Sequence, residues 1–171
     1  MSGSQGRPRE QALTTCVGSV IVLWGTIDML LTQTCKSLYE ELSGHPSEKE
    51  PPRELGRRLR FVRKCFNAKP ELRPFSVTAS AICGEIADLA GYRDFFVHGS
   101  ITQMILEPPS SFQFTRLDRR PDNHGYEEVY LKLSGAELLK LSTTAFEIAM
   151  RLSDVGRHVR EVIETQKAAK E

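Results

Sequence analysis

The sequence predicts a mainly α-helical protein, an antiparallel four-helix bundle with a three-stranded antiparallel β-meander inserted before the last helix. Two long segments, one near each end of the chain, carry apolar residues at steps of three and four, which is the spacing of one helix face. Between them lie two shorter helical segments and a region of short, turn-bounded runs rich in β-branched and aromatic residues. At 171 residues and 40% apolar content, the chain fits one domain, residues 1–171, with a sizeable core.

The first predicted helix begins near Leu13 and runs for about 30 residues. Residues 1–9 are rich in Gly, Ser, Pro and Arg, so we expect them to be flexible. Gly25, Thr26 and Asp28 interrupt the apolar run and no small-residue cleavage site follows, which favours a buried helix over a signal peptide or a membrane span. The seam of this helix consists of Leu13, Val17, Val20, Trp24, Ile27, Leu31, Thr34 and Leu38.

The second predicted helix follows a loop at residues 43–52 that is rich in Gly, Ser and Pro. One face of this helix is apolar and the other is basic. We call the basic face the basic stripe; it comprises Arg53, Arg57, Arg60 and Lys64. Acidic residues that would balance the stripe are almost absent between Arg53 and Lys69, so it suits the successive phosphates of RNA. The alternative is a solvated surface without a partner.

The third predicted helix carries a cation in its apolar seam. Apolar residues recur at helical spacing from Phe75 to Phe96, and Arg93 takes the position that the series skips. Because burying an unpaired charge is costly, Arg93 needs a carboxylate, a phosphate or a subunit boundary beside it. Asp28, within the apolar run of the first helix, either lies at the edge of its own seam or neutralises Arg93.

Arg93 opens the segment Arg93-Asp94-Phe95-Phe96-Val97-His98, and Gly99 follows it. Asp94 and His98 are four residues apart, so they lie side by side on a helix. Arg93 and His98 are five apart and diverge by about 140° around the helix axis. They therefore converge only where the helix ends or bends, and Gly99 is a natural place for that.

Spacing alone does not single out this segment, because two others have a similar distance from an arginine to a histidine. Arg119 to His124 crosses a proline in a predicted turn, and Arg151 to His158 lies in a helix without a polar residue after the arginine. The segment at Arg93 is distinguished by the amphipathic helix before it, by the polar residue after the arginine and by the glycine after the histidine.

In these features the segment from Arg93 to His98 resembles the signature of the HEPN domain, in which an arginine, a polar residue and several further residues precede a histidine. HEPN domains are all-helical modules found in many prokaryotic ribonuclease toxins and defence proteins. The resemblance implies a homodimer in which two copies of the motif meet and cut RNA without a metal. It also implies a protein partner such as an antitoxin.

Under this resemblance Arg93, Asp94 and His98 form the catalytic site. An imidazole exchanges protons near neutral pH, so His98 can accept the 2′-hydroxyl proton or protonate the leaving oxygen. Arg93 can stabilise charge that grows on the phosphoryl group, and Asp94 would orient His98. Asn is frequent at the second position of the family motif, so Asp94 departs from the pattern and places a negative charge near the scissile phosphate.

The alternative is that the segment is structural. Arg93 and Asp94 then form a local ion pair, and His98 is favoured by the dipole at the C-terminal end of its helix. The protein would be a non-catalytic dimeric helical module with an interaction or regulatory role. The two hypotheses differ in whether the two motifs of a dimer face one cleft beside the basic stripe.

Three short runs after Gly99 predict the β-meander, an insertion of about residues 100–133. The runs are Ile101–Leu106, Phe112–Arg116 and Tyr126–Leu133. In the last run Val129, Leu131 and Leu133 face one way, so one side of the sheet packs on the helices. A minimal HEPN domain lacks this insertion, which would shield the site, recognise substrate or bind a partner.

The last predicted helix starts at Ser134-Gly135-Ala136-Glu137, which has the pattern of a capping box. Its apolar residues continue in steps of three and four as far as Val162. We expect the tail, residues 165–171, to be flexible.

The charge and the cysteines limit the class of protein. A net charge of +1 argues against a protein that coats polyanions generally, so any RNA contact would use a local patch. The four cysteines lack a metal-ligand spacing and predict reduced thiols in a cytoplasmic protein. We predict no cofactor, no metal site and no membrane contact. The cysteines are Cys16, Cys35, Cys65 and Cys83.

Overall fold

The structure, a computed structural model, describes residues 6–44, 48–107, 109–120 and 125–169, with side chains described from residue 10 onward. Within these residues the protein is mainly helical, with a three-stranded antiparallel sheet before the last of four α-helices, so the coarse fold prediction is confirmed. The elements are α1 (Gly6–Glu40), α2 (Leu55–Ala68), a 3₁₀ turn (Arg73–Phe75), α3 (Ser76–His98), β1 (Ser100–Ile105), β2 (Ser111–Arg119), β3 (Tyr126–Ser134) and α4 (Gly135–Ala168).

Both long helices extend further than the sequence predicted. α1 begins at Gly6 and α4 continues to Ala168, so residues 6–9 and 165–168 are helical. Pro8 lies in the first turn of α1, where its missing N–H is not needed, and the Lys, Ala and Gln residues that end α4 favour helix. Residues 1–5 and 170–171 of the predicted flexible ends, and the turn residues 121–124 with His124, lie outside the described part of the chain.

Contacts along the chain divide it into two compact units. The sheet unit comprises Met1–Trp24 and Leu89–Ala145, and the helical unit comprises Gly25–Asp88 and Phe146–Glu171. Helices α1, α3 and α4 each contribute one segment to each unit. Each unit is therefore assembled from parts of the chain that are distant in sequence.

The core of the helical unit contains the apolar residues that helical spacing predicts. Completely buried side chains come from every helix of the unit. Burying one such side chain contributes about 1.5–3 kcal/mol, so these residues stabilise the unit. Representative members are Ile27 and Leu38 of α1, Phe66 of α2, Ile86 of α3 and Ile148 of α4.

Three of the four cysteines, Cys35, Cys65 and Cys83, are buried free thiols of the helical unit. Burial raises the pKa of Cys35 to about 12 and the pKa values of Cys65 and Cys83 to about 11. At neutral pH these thiols are protonated and are poor nucleophiles. They are core side chains.

Asp28 lies at the edge of the α1 seam and pairs with an arginine of α2. Its Oδ1 atom is 2.6 Å from Nη2 of Arg58, whose side chain is only 11% exposed. Arg93 pairs with the carboxylate of Asp94. The hypothesis that Asp28 neutralises Arg93 is therefore wrong, and its alternative, an edge position, is confirmed.

One described helix, α1, is long and apolar enough to cross a membrane by length and composition. Within its stretch Glu10–Glu40, the most apolar 18-residue segment has a mean hydropathy of 1.6, and 17% of that segment is buried. One such helix near the N-terminus is weak grounds for a membrane span, because core helices of soluble proteins have the same composition. The Asp28–Arg58 ion pair is a feature that suits a packed helix.

The sheet unit is built around a meander in the order β1-β2-β3, in which each neighbouring pair is antiparallel. Phe112 and Phe114 of β2 are buried with Leu133 of β3, Leu13 of α1 and Leu138 of α4. Along β3, exposed and less exposed residues alternate, as predicted. One face of the sheet therefore packs on helices and the other is open.

Candidate functional site

The candidate site lies where α3 ends and the sheet begins. α3 ends at His98, and a Cβ atom on Gly99 would lie 2.5 Å from the carbonyl oxygen of Phe95 and 3.0 Å from that of Thr115. Both contacts are to backbone atoms, which cannot move aside as a side chain can. Gly99 therefore allows β2 to approach the last turn of α3, and this approach fixes the site against the sheet.

Arg93 is accommodated by partners from its own unit. Its Nη1 atom donates to Oδ1 of Asp94 at 2.9 Å, and its guanidinium carbon lies 5.9 Å from the centroid of the Trp24 ring. The side chain is 32% exposed, so it lies at the boundary between the core and the solvent. The predicted need for a carboxylate beside this cation is met by Asp94.

Asp94 also faces a second arginine, Arg116 of β2. Oδ2 of Asp94 lies 3.9 Å from Nη1 of Arg116, so each carboxylate oxygen faces one guanidinium group. Arg116 is anchored by Asp118, whose Oδ2 accepts from Nη2 at 2.8 Å, and its guanidinium lies 4.4 Å above the ring of Phe95. We call Arg93, Asp94, Arg116 and Asp118 the arginine cluster.

The second half of this cluster was not predicted from the sequence. Arg116 and Asp118 are two residues apart on a strand, which places both side chains on the same face of β2. That spacing predicts a local ion pair. It does not predict that α3 would supply a further carboxylate, because that contact depends on how β2 packs against α3.

His98 is exposed and is not part of the cluster. Within the described residues its side chain makes no hydrogen bond or ion pair, and the predicted contact with Asp94 is not formed. Arg93 and His98 likewise share no hydrogen bond in this part of the chain. The imidazole is therefore open to solvent and to a ligand.

The basic stripe is partly neutralised by a carboxylate from the preceding loop. Arg57 donates to Oε2 of Glu48 at 3.2 Å, and Nζ of Lys64 lies 3.7 Å from Oε1 of the same residue. The hydrogen bond from Arg57 lowers the pKa of Glu48. Arg53 and Arg60 are exposed, so two of the four stripe residues have solvent-facing side chains while Glu48 balances the other two.

The stripe and the arginine cluster belong to different units, since α2 lies in the helical unit and the cluster in the sheet unit. That they border one cleft stays a prediction. Among the described residues, no three His, Cys, Asp or Glu side chains are grouped as metal ligands would be.

Comparison with known proteins does not supply a function. No protein-family model matches the chain, and no curated protein or solved structure matches it. The functional assignment therefore rests on the residues of the site.

Proposed function

We propose that the protein is a HEPN-like, metal-independent ribonuclease, or a relative that retains RNA binding, and that it acts as a homodimer. The observation that supports this most directly is the end of α3. There an exposed imidazole, which has no side-chain partner in the described part of the chain, follows a partly exposed guanidinium by five residues, and a second guanidinium from β2 lies nearby. RNA cleavage without a metal needs proton transfer and stabilisation of charge on the phosphoryl group, and an imidazole and a fixed cation can supply these.

A second copy of the chain completes this site. On one helix Arg93 and His98 diverge by about 140°, which argues against both acting on one phosphate from the same subunit. In a two-fold dimer, His98 of one subunit can lie beside Arg93 of the other. His98 would then move the proton of the 2′-hydroxyl or the leaving oxygen, while Arg93 stabilises charge on the phosphoryl group.

The packing of the four helices and the cellular role of the protein are part of the same proposal. The four helices would pack as an antiparallel bundle, in which a and d positions of each helix meet. The protein would act in the cytoplasm in a toxin or defence system, where an antitoxin or another protein would control it. RNA would extend from the motif to the exposed arginines of the basic stripe, Arg53 and Arg60.

The test is to incubate the purified protein with mixed single-stranded RNAs in EDTA. The wild type is compared with Arg93→Ala and His98→Ala. We expect cleavage by the wild type and loss of cleavage in both variants. Cleavage that survives both substitutions would show that the motif is not the site.

A non-catalytic dimeric helical module is the second candidate, with an interaction or regulatory role. The observation that favours it is that Arg93 already has a carboxylate and an aromatic ring as partners within its own unit. Its position in the seam then requires no phosphate. Absence of cleavage by every form, with a dimer seen by light scattering, would favour this candidate.

A further inference from the structure

The carboxylate of Asp94 lies between two guanidinium groups, one from α3 and one from β2. Its Oδ1 atom accepts from Arg93 at 2.9 Å, and its Oδ2 atom lies 3.9 Å from Nη1 of Arg116. We propose that Asp94 occupies the place of a phosphate group, that Arg116 is a second phosphate-binding residue, and that RNA binds by displacing Asp94. The identity of the anion as an RNA phosphate rests on the proposed function.

The way the two guanidinium groups are held suits an anion-binding pair. Arg93 lies over the ring of Trp24 and Arg116 over the ring of Phe95, at 5.9 and 4.4 Å from the ring centroids. A guanidinium that lies over a ring directs its N–H groups outward, where a carboxylate or a phosphate can accept from them. Asp118 takes the Nε and Nη2 atoms of Arg116, so Nη1 is the atom that faces Asp94.

The charges of the cluster allow another anion to replace the carboxylate of Asp94. Two arginines and two aspartates cancel, so the cluster has no net charge while Asp94 stays between the arginines. Asp94 is 44% exposed and Arg93 is 32% exposed, so a ligand can reach both from the solvent. Arg116 is held by Asp118 at 2.8 Å and would keep its position when Asp94 moves away.

This assigns a role to the β-meander. β2 brings Arg116 to the end of α3, so the insertion would contribute to substrate recognition. It also gives a reason for an aspartate beside Arg93, since the carboxylate would keep two guanidinium groups together when no RNA is bound.

A purely structural role for Arg116 can be separated from this proposal by a pair of variants. If Arg116 serves only the ion pair with Asp118, then Arg116→Gln and Asp118→Asn should have the same effect. If Arg116 binds phosphate, Arg116→Gln should weaken binding. Asp118→Asn should weaken binding less than Arg116→Gln does, because the cation stays although it loses its anchor.

The experiment measures binding of a 2′-O-methyl RNA oligonucleotide, which lacks the 2′-hydroxyl that cleavage would use. Trp24 is the one tryptophan of the chain and lies against Arg93, so its fluorescence reports on the cluster directly. We expect Asp94→Asn to bind about three- to tenfold more tightly than the wild type at low salt, with a steeper salt dependence. Arg116→Gln should bind about tenfold more weakly.

The matched control is Asp154→Asn, which removes a carboxylate paired with a single arginine, Arg157, at 2.6 Å in the helical unit. It should leave oligonucleotide affinity and the Trp24 signal unchanged. Circular dichroism checks that each variant is folded. Unchanged or weaker binding by Asp94→Asn, wild-type binding by Arg116→Gln, or equal effects of Arg116→Gln and Asp118→Asn would each overturn the proposal.

The result of the binding experiment can be interpreted separately from the result of the cleavage assay. A protein that binds the oligonucleotide as expected but cuts no RNA would refute the ribonuclease and leave the phosphate-binding role of Arg116 in place. A protein that cuts RNA through His98 while Arg116→Gln binds normally would refute the phosphate-binding role of Arg116 and leave the ribonuclease in place.

Discussion

The sheet is joined to helices at two junctions, and the two are built in opposite ways. Where β3 meets α4, the backbone N–H and the hydroxyl of Ser134 both donate to Glu137 at 2.7 Å, and the backbone N–H of Glu137 donates back to the hydroxyl oxygen at 3.2 Å. Where α3 meets β1, Gly99 packs tightly but the imidazole of His98 is exposed and unpartnered within the described residues. The first junction satisfies its polar groups locally, whereas the second leaves one available for chemistry.

The largest expected effect tests whether that difference is functional. We expect His98→Ala to lower the rate of RNA cleavage by about 10²–10⁴, the usual contribution of a general acid or base. Ser134→Ala, at the other junction, should leave the rate within a factor of about two, because a capping residue has no role in proton transfer. Initial rates with a fluorogenic RNA in EDTA measure both.

A second histidine sharpens the same test. His158 also follows an arginine, Arg151, at a similar spacing. However, the centroids of the His158 and Phe75 rings are 3.7 Å apart, and the His158 side chain is only 19% exposed. We therefore expect His158→Ala to leave the cleavage rate of the folded protein close to that of the wild type. A loss as large as that of His98→Ala would contradict our assignment of the site to the end of α3.

The next effect concerns the glycine at each junction. We expect Gly99→Ala to destabilise the protein by about 1–3 kcal/mol, because the added Cβ meets two backbone carbonyl oxygens in a close-packed position. Gly135→Ala should cost less than about 1 kcal/mol. Its Cβ meets mainly the hydroxyl of Ser110, which can rotate away, and alanine favours helix.

Urea unfolding followed by circular dichroism gives both free energies. The rate of RNA cleavage at a temperature where both variants are folded provides a second measure, since Gly99→Ala should also displace His98 and Gly135→Ala should not. Equal destabilisation by the two substitutions would mean that β2 can approach α3 closely without a glycine at position 99.

The two junctions also show what the sequence can predict. The capping box is encoded by Ser134 and Glu137 within one turn, so it was predicted with its hydrogen bonds, and the glycine after His98 correctly indicated the end of α3. The helical seams and the alternation of β3 were predicted for the same reason, because periodicity encodes which face of one element is buried.

The partners of charged groups were only partly predictable in this way. The sequence left two partners open for Asp94, His98 and its neighbour Arg93. Asp94 pairs with Arg93, and it also faces Arg116 of β2, which was not predicted. Glu48 pairs with Arg57 and Lys64 of the basic stripe, although it lies in the loop before α2. In each case several partners are within reach along the chain, and tertiary packing decides which of them is used.

The smallest expected effect is a pH dependence at the satisfied junction. Hydrogen bonds from the backbone N–H and the hydroxyl of Ser134 hold the pKa of Glu137 below its ordinary value of about 4.5. Because the folded-state pKa is the lower one, Glu137 stabilises the fold at pH values above its unfolded pKa. That stabilisation is lost as the pH falls through the folded-state pKa.

The difference in unfolding free energy between the wild type and Glu137→Gln should therefore be constant from about pH 6 to 8 and shrink below about pH 4.5. Ser134→Ala should cost about 1 kcal/mol at neutral pH, the usual value for a helix N-cap, and in that variant the pH dependence of Glu137→Gln should be much reduced. His98→Ala should change neither quantity by more than about 0.5 kcal/mol, because an exposed side chain without partners contributes little to stability. If His98→Ala destabilised the protein as much as Ser134→Ala does, His98 would have structural partners, and the two junctions would not differ as we propose.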